Sequence, residues 1–543
     1  MRRTEIVVAA AAALVFADAT IVTLALPSVL VQLHTSVEGV AAVLGVYTAA
    51  LGLAALPAEL LLRRTGSRLL APAAFVVFAA AGLVCAAASD LTLLLGGRVA
   101  QGLAGAVVLA CAGDLLESTS RGRRAWVFVI VLSGAVGPVV GGTLTQAFSW
   151  RAIFVAQVPI PLLAAAAVAR EAPRLGVIAR TPAAAPVRAR GLIVLGLVSA
   201  ALTALLFGLV LLLVAGWALR PLTAALTVSL VPVAAFAGSR IRGPAEARTA
   251  VGAALISAGI GMLAFLPTDQ IRWLLVPEIL AGTGMGLALT PLLEHLLPEW
   301  GQRRRAANVA VRHLGITVAL LVLAPVLAHD LSSAIEKAKL RTVALVLDSN
   351  IAPKRKLELG PRVAAAVRSE QPLASVRSSE AHVRLGLAGE ERRAFAELAR
   401  RLDDVFVAAA DDAFRRAFAI AALFALLAAA LFVRRAPVAA AAGFAAAIAF
   451  VGAQVLVRHF EAPAQVRIAD PCLPRPRPKA SGIIGTAQGA ALAALDRAAC
   501  FLGSSREELV LALASKREGE RFKRRHGVDP HSLVGLLDVL HKL

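Results

Sequence analysis

The sequence predicts an all-α membrane protein, and three observations support this fold class. Hydrophobic residues make up 58% of the 543 residues and charged residues only 17%, whereas roughly a quarter of an average soluble domain is charged. The mean hydropathy is +0.76. Apolar runs of about 18 residues or more, long enough to cross about 30 Å of hydrocarbon, recur along most of the chain. This composition excludes a soluble globular protein.

Thirteen apolar segments are candidates for membrane-spanning helices. In chain order they are 5–32, 37–62, 69–88, 91–115, 125–148, 151–169, 191–214, 221–238, 249–267, 273–297, 306–328, 414–433 and 437–457. They predict an N-terminal six-helix bundle over 1–169, a cytoplasmic linker over 170–190, a C-terminal six-helix bundle over 191–433, and an additional helix over 437–457.

Basic residues orient these spans, because the loops on the cytoplasmic side of a membrane protein are enriched in Lys and Arg. With the N-terminus inside, the short outer loops hold only Arg151, Arg220 and Arg272. The first apolar run follows Arg2 and Arg3 as in a signal peptide. It carries Asp18 in its middle, however, and no cleavage site closes it, so we expect an uncleaved span. The Ala- and Arg-rich composition favours a bacterial plasma membrane.

Two segments are too polar to span, and the parity of the spans places both outside. They are the insert 329–413, with an amphipathic stretch over 390–414, and the C-terminal tail 458–543. The tail contains Cys472 and Cys500. Because disulfides persist outside the cytoplasm and small domains need such cross-links, we predict a bond between these two cysteines. Cys85 and Cys111 lie inside spans, where we expect small inert side chains.

Other function classes find little support in the sequence. The net charge of +21 lies in loops, without the basic stripe that nucleic acid requires. A single tyrosine also leaves few aromatic platforms for stacking bases. We find no spacing of metal ligands, no nucleophile elbow and no phosphate loop, so we expect neither an enzyme nor a cofactor.

Four motifs follow one another along the chain within about residues 15–160. They are FADATIVTLALP (16–27), GGRVAQGLAGA (96–106), SGAVGPVVGG (133–142) and SWRAIFVAQVP (149–159). They are similar to LDxTIVNVALP, RxxQGxGA, GxxxGPxxGG and WRWIFxINVP of the fourteen-helix drug:proton antiporters of the major facilitator superfamily. VRHLG (311–315) is a weaker match to that family's RQxG. The chain therefore resembles this branch.

The resemblance implies a secondary transporter and draws attention to particular residues. The Asp that matches Asp18 is important in the family, and a carboxylate within the bilayer costs about 2.5–3.5 kcal/mol on insertion scales. Asp18 is thus the candidate proton carrier; the alternative is a structural hydrogen bond. Arg98 could tune that carboxylate or extend to the outer surface. Glu278, in the second bundle, is either a further proton site or a solvated residue near the outer end.

The antiporter motif and the turn after the second span complete the candidate site. Close helix packing and a bend are expected from the motif's small residues and proline, which are Gly134, Gly137, Pro138, Gly141 and Gly142. The gating turn GxLADRxGRR is altered to ELLLRRTGSR (59–68), which keeps Arg64, Gly66 and Arg68. It has Glu59 at the first Gly and Arg63 at the Asp that helps to lock one conformation in the family.

We therefore predict a proton-coupled exporter of a hydrophobic or amphipathic small molecule, with a twelve-helix core and a thirteenth helix. Its partners would be the lipid bilayer, a lipophilic substrate and protons. One alternative is an exporter of a lipid or cell-envelope precursor that the external segments pass on. Another, suggested by the altered gating turn, is a degenerate transporter that serves as an envelope scaffold or sensor. In that case 329–413 or 458–543 would bind an extracytoplasmic partner protein.

Overall fold

The structure is a computed structural model that describes residues 3–117, 133, 136–171, 189–293, 302–352, 354–356, 359, 373, 375–378, 389–464, 466–475 and 482–531. Within these ranges every regular element is helical, which confirms the all-α fold class. Ten of the described helical segments are long and apolar enough to cross a membrane. The predicted linker 170–190 lies almost wholly outside the described residues.

The described helices of the first half overlap the predicted spans, although most of the predicted stretch 125–135 lies outside the described residues. They are α1 (Arg3–Thr23), α2 (Leu26–Gln32), α3 (Val37–Thr65), α4 (Ser67–Ala86), α5 (Leu91–Glu117), α6 (136–147), α7 (Trp150–Ala156) and α8 (Pro159–Glu171). Two spans predicted as single helices are interrupted, which corrects 5–32 and 151–169. Pro27 lies in the first turn of α2 and Pro159 begins α8. Proline has no N–H to continue a preceding helix but is tolerated at a helix start.

The described helices of the second half, up to residue 461, differ in length from the predicted spans. They are α9 (Ala189–Leu211, continued by a π turn over Leu212–Gly216), α10 (Pro221–Val228), α11 (Leu230–Ser239), α12 (Ala245–Leu263), α13 (Arg272–Pro291), α14 (Gln302–Asp348), α15 (Gly389–Ala430) and α16 (Pro437–Glu461). The predicted span 221–238 is divided between α10 and α11. The predicted spans 306–328 and 414–433 are only parts of α14 and α15. Their extensions fall in the segment predicted as a separate insert.

The additional helix predicted over 437–457 is present as α16, which packs along α12. A methyl group at Gly443 would lie 2.8 Å from the Cβ of Ala254, so the two backbones approach closely. The side-chain amide of Gln454 donates to the carbonyl of Phe265 at 3.3 Å. Only a small share of α16 is buried within the protein, which leaves most of its apolar surface for lipid.

The chain divides into two compact units. The first, the helical-bundle unit, comprises 1–215, 219–330 and 414–461. The second, which we call the appended unit, comprises 216–218, 331–413 and 462–543 and therefore combines the predicted insert with the predicted tail. It contains α17 (Gly482–Phe501), α18 (Arg506–Ala514) and α19 (Lys516–His526).

Ion pairs and a disulfide hold the appended unit together. Arg506 donates to Asp348 at 2.7 Å, and Lys339 donates to Glu518 at 2.5 Å. These bonds tie the end of α14 to α18 and α19. Cys472 and Cys500 form a disulfide with their Cα atoms 5.0 Å apart, whereas Cys85 and Cys111 are buried free thiols in the bundle unit. Tail and insert thus form one fold.

Candidate functional site

An ion pair lies inside the N-terminal bundle. Arg98, on α5, donates through Nη2 to Oδ2 of Asp18 on α1 at 2.6 Å, and both side chains are 0% exposed. Sequence analysis had singled out each residue but had not paired them. Arg98 does not extend to the outer surface. The geometry instead places the guanidinium directly on the carboxylate.

Arg98 has further partners that hold its guanidinium in place. Nη1 donates to Oε1 of Gln101 at 2.7 Å, and Nε donates to the carbonyl of Val43 at 3.1 Å. The plane of the guanidinium lies over the ring of Tyr47, 4.1 Å from its centroid. Gln101 in turn donates to Gln157 at 3.0 Å. A buried charge is tolerated when its donors are satisfied in this way.

Asp18 is satisfied less completely than Arg98. Its Oδ1 atom is buried and has no hydrogen-bond partner among the described residues. A buried polar atom in this state is costly, and in native proteins it frequently marks a bound water molecule or a functional position. The carboxylate therefore has one oxygen on Arg98 and one oxygen that could bind a proton or a water molecule.

Residues next to this ion pair contact α1 and the helix α14 of the second half. The Tyr47 hydroxyl donates to the carbonyl of Val15 on α1 at 2.8 Å. The Thr48 hydroxyl lies 2.9 Å from the Thr317 hydroxyl on α14. On α1, Phe16 stacks against His313 with the ring centroids 6.1 Å apart. The residues beside Asp18 thus contact α14 directly.

The antiporter motif lies where the first-half helices meet α10 of the second half. A methyl group at Gly137 would fall 1.9 Å from Oγ1 of Thr20, and one at Gly141 would fall 2.2 Å from the carbonyl oxygen of Ile21. At Gly142 it would fall 2.4 Å from Cβ of Ala225 on α10. Glycines therefore permit α6 to touch α1 and α10. Pro138 is buried in the same helix; Gly134 lies outside the described residues.

Glu278 is buried rather than solvated, although it is close to the N-terminal end of α13. It is 0% exposed, and neither carboxyl oxygen has a hydrogen-bond partner among the described residues. Close contacts flank it on both sides: Gly259 of α12 packs on the carbonyl of Pro277, and Gly282 packs on the carbonyl of Val231 of α11. The side chain is therefore enclosed between helices of the C-terminal bundle.

The altered gating turn makes a charge pair of its own. Glu59, near the end of α3, accepts from Arg305 of α14 at 3.3 Å, and the side chains are 4% and 6% exposed. Arg305 also donates to the carbonyl of Ala110 at 3.3 Å and lies against Gly113 of α5. Asp114 is close enough to Glu59 to interact with it electrostatically. The residue that departs from the family pattern thus joins the two halves.

The retained residues of that turn have a local role in the structure. Gly66 has φ +76° and donates to the carbonyl of Leu62, which ends α3. This left-handed conformation favours glycine. Arg64 is exposed, and the side chain of Arg68 lies outside the described residues.

Sequence analysis missed Gln101, Tyr47 and Arg305. Gln101 stands one helical turn after Arg98 within a motif that was quoted, so the spacing placed it on the same face. Tyr47 is the only tyrosine of the chain and lies in an apolar span, which was a usable signal. Arg305 was not predicted, because nothing in its sequence surroundings indicates a partner 246 positions away.

Comparison with known proteins decides the family. Residues 8–328 match the sequence profile of the Major Facilitator Superfamily. The chain belongs to the Major Facilitator Superfamily. It is therefore a multi-pass membrane transporter and not an enzyme. The resemblance that the four motifs indicated is confirmed at the level of the superfamily.

Two similar proteins are named for resistance to a compound. The tetracenomycin C resistance and export protein of Streptomyces glaucescens is 28% identical over 324 residues, which cover 56% of this chain and 57% of that protein. The methylenomycin A resistance protein of Bacillus subtilis is 28% identical over 150 residues, covering 26% of this chain and 32% of that protein. The matches span less than two thirds of either relative.

A solved transporter shares the fold. It is a bacterial homologue of the human lysosomal transporter Spinster, captured inward-facing and unoccupied, with a TM-score of 0.53 and 16% identity. The alignment covers 79% of this chain and 97% of that one. At this identity the likeness establishes the fold alone.

Proposed function

We propose that this member of the superfamily is a secondary active transporter that exports a hydrophobic or amphipathic small molecule in exchange for protons. The observation that carries the proposal is the buried Asp18–Arg98 pair, in which one carboxylate oxygen has no hydrogen-bond partner within the described part of the chain. Ionisable residues within membrane spans mark proton relays and substrate pathways.

The proton-binding step follows from the contacts of the pair. In this step a proton binds Oδ1 of Asp18. The carboxylate that accepts from Nη2 of Arg98 is thereby neutralised. The guanidinium keeps Gln101, the carbonyl of Val43 and the face of Tyr47. Protonation therefore weakens the bond between α1 and α5, while Arg98 keeps its other hydrogen-bond acceptors.

Release of α1 would reach the interface between the two halves. Phe16, two residues from Asp18, stacks on His313 of α14, and Ile21 packs against Gly141 of α6. Movement of α1 thus perturbs contacts with α14 and α6 at once. Proton binding and bundle rearrangement are coupled if the proton binds one arrangement more tightly than the other.

Glu278 is the second proton-binding group of the proposal. It is the buried carboxyl of α13 in the C-terminal bundle, enclosed between α11 and α12, and has no hydrogen-bond partner among the described residues. Burial of a carboxyl group within a membrane span costs free energy, and such groups usually mark functional positions.

The altered gating turn suggested that the chain could be a degenerate transporter, and the Glu59–Arg305 pair argues against this alternative. The family's Asp is replaced by Arg63, but a charge pair between the halves is present at the same end of α3. We assign it the role of the cytoplasmic gate, which opens and closes with the bundles. This supports a working transporter over a degenerate scaffold.

The substrate class rests on the relatives. One is named for resistance to and export of tetracenomycin C, and another for resistance to methylenomycin A. This supports export of a compound of similar size.

The test is transport by the full chain in proteoliposomes with an imposed proton gradient. The probes are tetraphenylphosphonium, ethidium and a fluorescent phospholipid. We expect uptake of at least one of the two cations against its own gradient when the pH difference is present, and collapse of that uptake when a protonophore removes it. Equal flux with and without the gradient would refute proton coupling. Movement of the phospholipid alone would favour the lipid-export alternative.

A further inference from the structure

The appended unit contains a groove that its ion pairs do not explain. It encloses about 870 Å³ and is lined by Lys337, Leu340, Arg341, Ala464, Val466, Arg467 and Ile468. This volume is within the range of about 300–1,000 Å³ that small-molecule sites occupy. One wall is a face of α14 and the other is the extended segment that follows α16.

The lining combines cations with apolar side chains. Its members Lys337, Arg341 and Arg467 are basic, the other four are apolar, and none of these described residues is acidic. Glu336, the acidic neighbour of Lys337 in the chain, pairs with Lys339 and Arg521. The groove therefore presents positive charge beside apolar surface, which matches an anionic amphiphile.

Both walls follow a membrane span along the chain. Lys337 is nine residues past the end of the predicted span 306–328. Arg467 follows the end of α16 at Glu461 by six residues. Basic residues this near to a span lie within reach of lipid head groups, where anionic lipids attract them.

We propose that the groove binds an anionic phospholipid from the adjacent leaflet, with the phosphate against Lys337, Arg341 and Arg467 and the acyl chains along Leu340, Val466 and Ile468. The site is separate from the Asp18–Arg98 pair and does not depend on proton coupling. It gives the appended unit a binding function of its own.

The test uses the full chain in phosphatidylcholine nanodiscs that contain a small fraction of a photoactivatable phosphatidylglycerol. After irradiation, mass spectrometry maps the labelled peptides. We expect label on the peptides containing 337–341 and 464–468. The variant K337Q/R341Q/R467Q should lose this label about tenfold, because the loss of three cations removes most of the attraction for the head group.

A matched control removes the same charge elsewhere in the appended unit. Lys516, Arg517 and Arg524 are exposed residues of α19, and K516Q/R517Q/R524Q should retain the label on the groove. The variant V466N/I468N tests the apolar wall and should also reduce labelling. Retention of the Cys472–Cys500 bond in each variant shows that the unit has folded.

Three results would overturn the proposal. These are equal labelling in the groove variant and the control, equal labelling of the groove by a photoactivatable phosphatidylcholine, and competition by inorganic phosphate alone. Competition by an exported cation or other transport substrate, with no effect of the lipid head group, would assign the groove to the transported compound and also contradict a lipid site. None of these outcomes bears on proton-driven transport.

Discussion

Arg98 donates a 2.6 Å hydrogen bond to Asp18 in a place where neither side chain is exposed. The arginine has other acceptors in Gln101 and Val43, whereas Asp18 has one oxygen without a described partner. The two members of the pair are therefore unequal. Arg98 is held by several acceptors, and in the proposed mechanism Asp18 is the member that binds the proton.

The first prediction concerns the stability of this pair. Removing one partner leaves the other charge buried and uncompensated, which in soluble proteins costs about 3–5 kcal/mol. Arg98→Gln should therefore lower the thermal stability of the detergent-solubilised protein strongly. Asp18→Asn/Arg98→Gln should be more stable than Arg98→Gln alone, because the uncompensated carboxylate is also gone. A double variant at least as unstable as the single one would show that the pair is not coupled.

The second prediction concerns the contact between α6 and α1. Gly141→Ala places a methyl group 2.2 Å from the carbonyl oxygen of Ile21, and a backbone atom cannot move aside as a flexible side chain can. Overpacking typically costs about 1–3 kcal/mol, so the melting temperature should fall. Gly96→Ala is the control, because nothing lies within 4 Å of the added methyl. Equal melting temperatures for the two variants would contradict the close packing.

The third prediction concerns the Glu59–Arg305 pair. Glu59→Arg places two cations at one buried position, and Arg305→Glu places carboxylates beside Asp114. Each single variant should reduce transport. Each should also make a cysteine introduced next to Glu59 or Arg305 react faster with a thiol reagent. The exchanged variant Glu59→Arg/Arg305→Glu should recover part of the activity. Absence of any recovery would argue against a direct charge contact.

The fourth prediction concerns the disulfide. Cysteine-reactive reagent should label two thiols in the denatured, unreduced chain and all four after reduction, because Cys85 and Cys111 are free and Cys472 and Cys500 are joined. The cross-link should stabilise the appended unit by about 2–4 kcal/mol, so Cys472→Ser should lower its melting temperature. Reduction of the bond in intact cells by a membrane-impermeant reductant would locate it outside. Four reactive thiols before reduction would exclude the bond.

Sequence patterns predicted the individual residues of the site better than their contacts. Asp18 and Arg98 stood out because a charge inside a span is costly, but their pairing depends on how α1 and α5 rotate against each other. That rotation is set by packing, as at Gly105, where a methyl group would lie 3.2 Å from Cγ1 of Val15 on α1. The motif glycines were expected to permit close packing, and the identities of Thr20, Ile21 and Ala225 as neighbours required the structure.

Hydropathy predicted where spans occur but not where helices end. It ended a span at 328, although α14 continues to Asp348, because an amphipathic helix can leave the membrane without any change of secondary structure. The insert and tail were therefore treated as separate segments. Long-range bonds such as Arg506 to Asp348 unite them, and local sequence carries no signal for such contacts.

The role of Asp18 in proton coupling is tested most directly by measuring proton-driven transport of Asp18→Asn in proteoliposomes and comparing it with that of Asp90→Asn. Asp90 is an exposed residue that caps α5 by accepting from the backbone of Leu93 at 2.9 Å, and Asn preserves such a cap. Asp90→Asn should transport like the unaltered protein, whereas Asp18→Asn should lose pH-dependent transport while it still binds substrate. Unchanged pH-driven efflux in Asp18→Asn would contradict the role of this carboxylate.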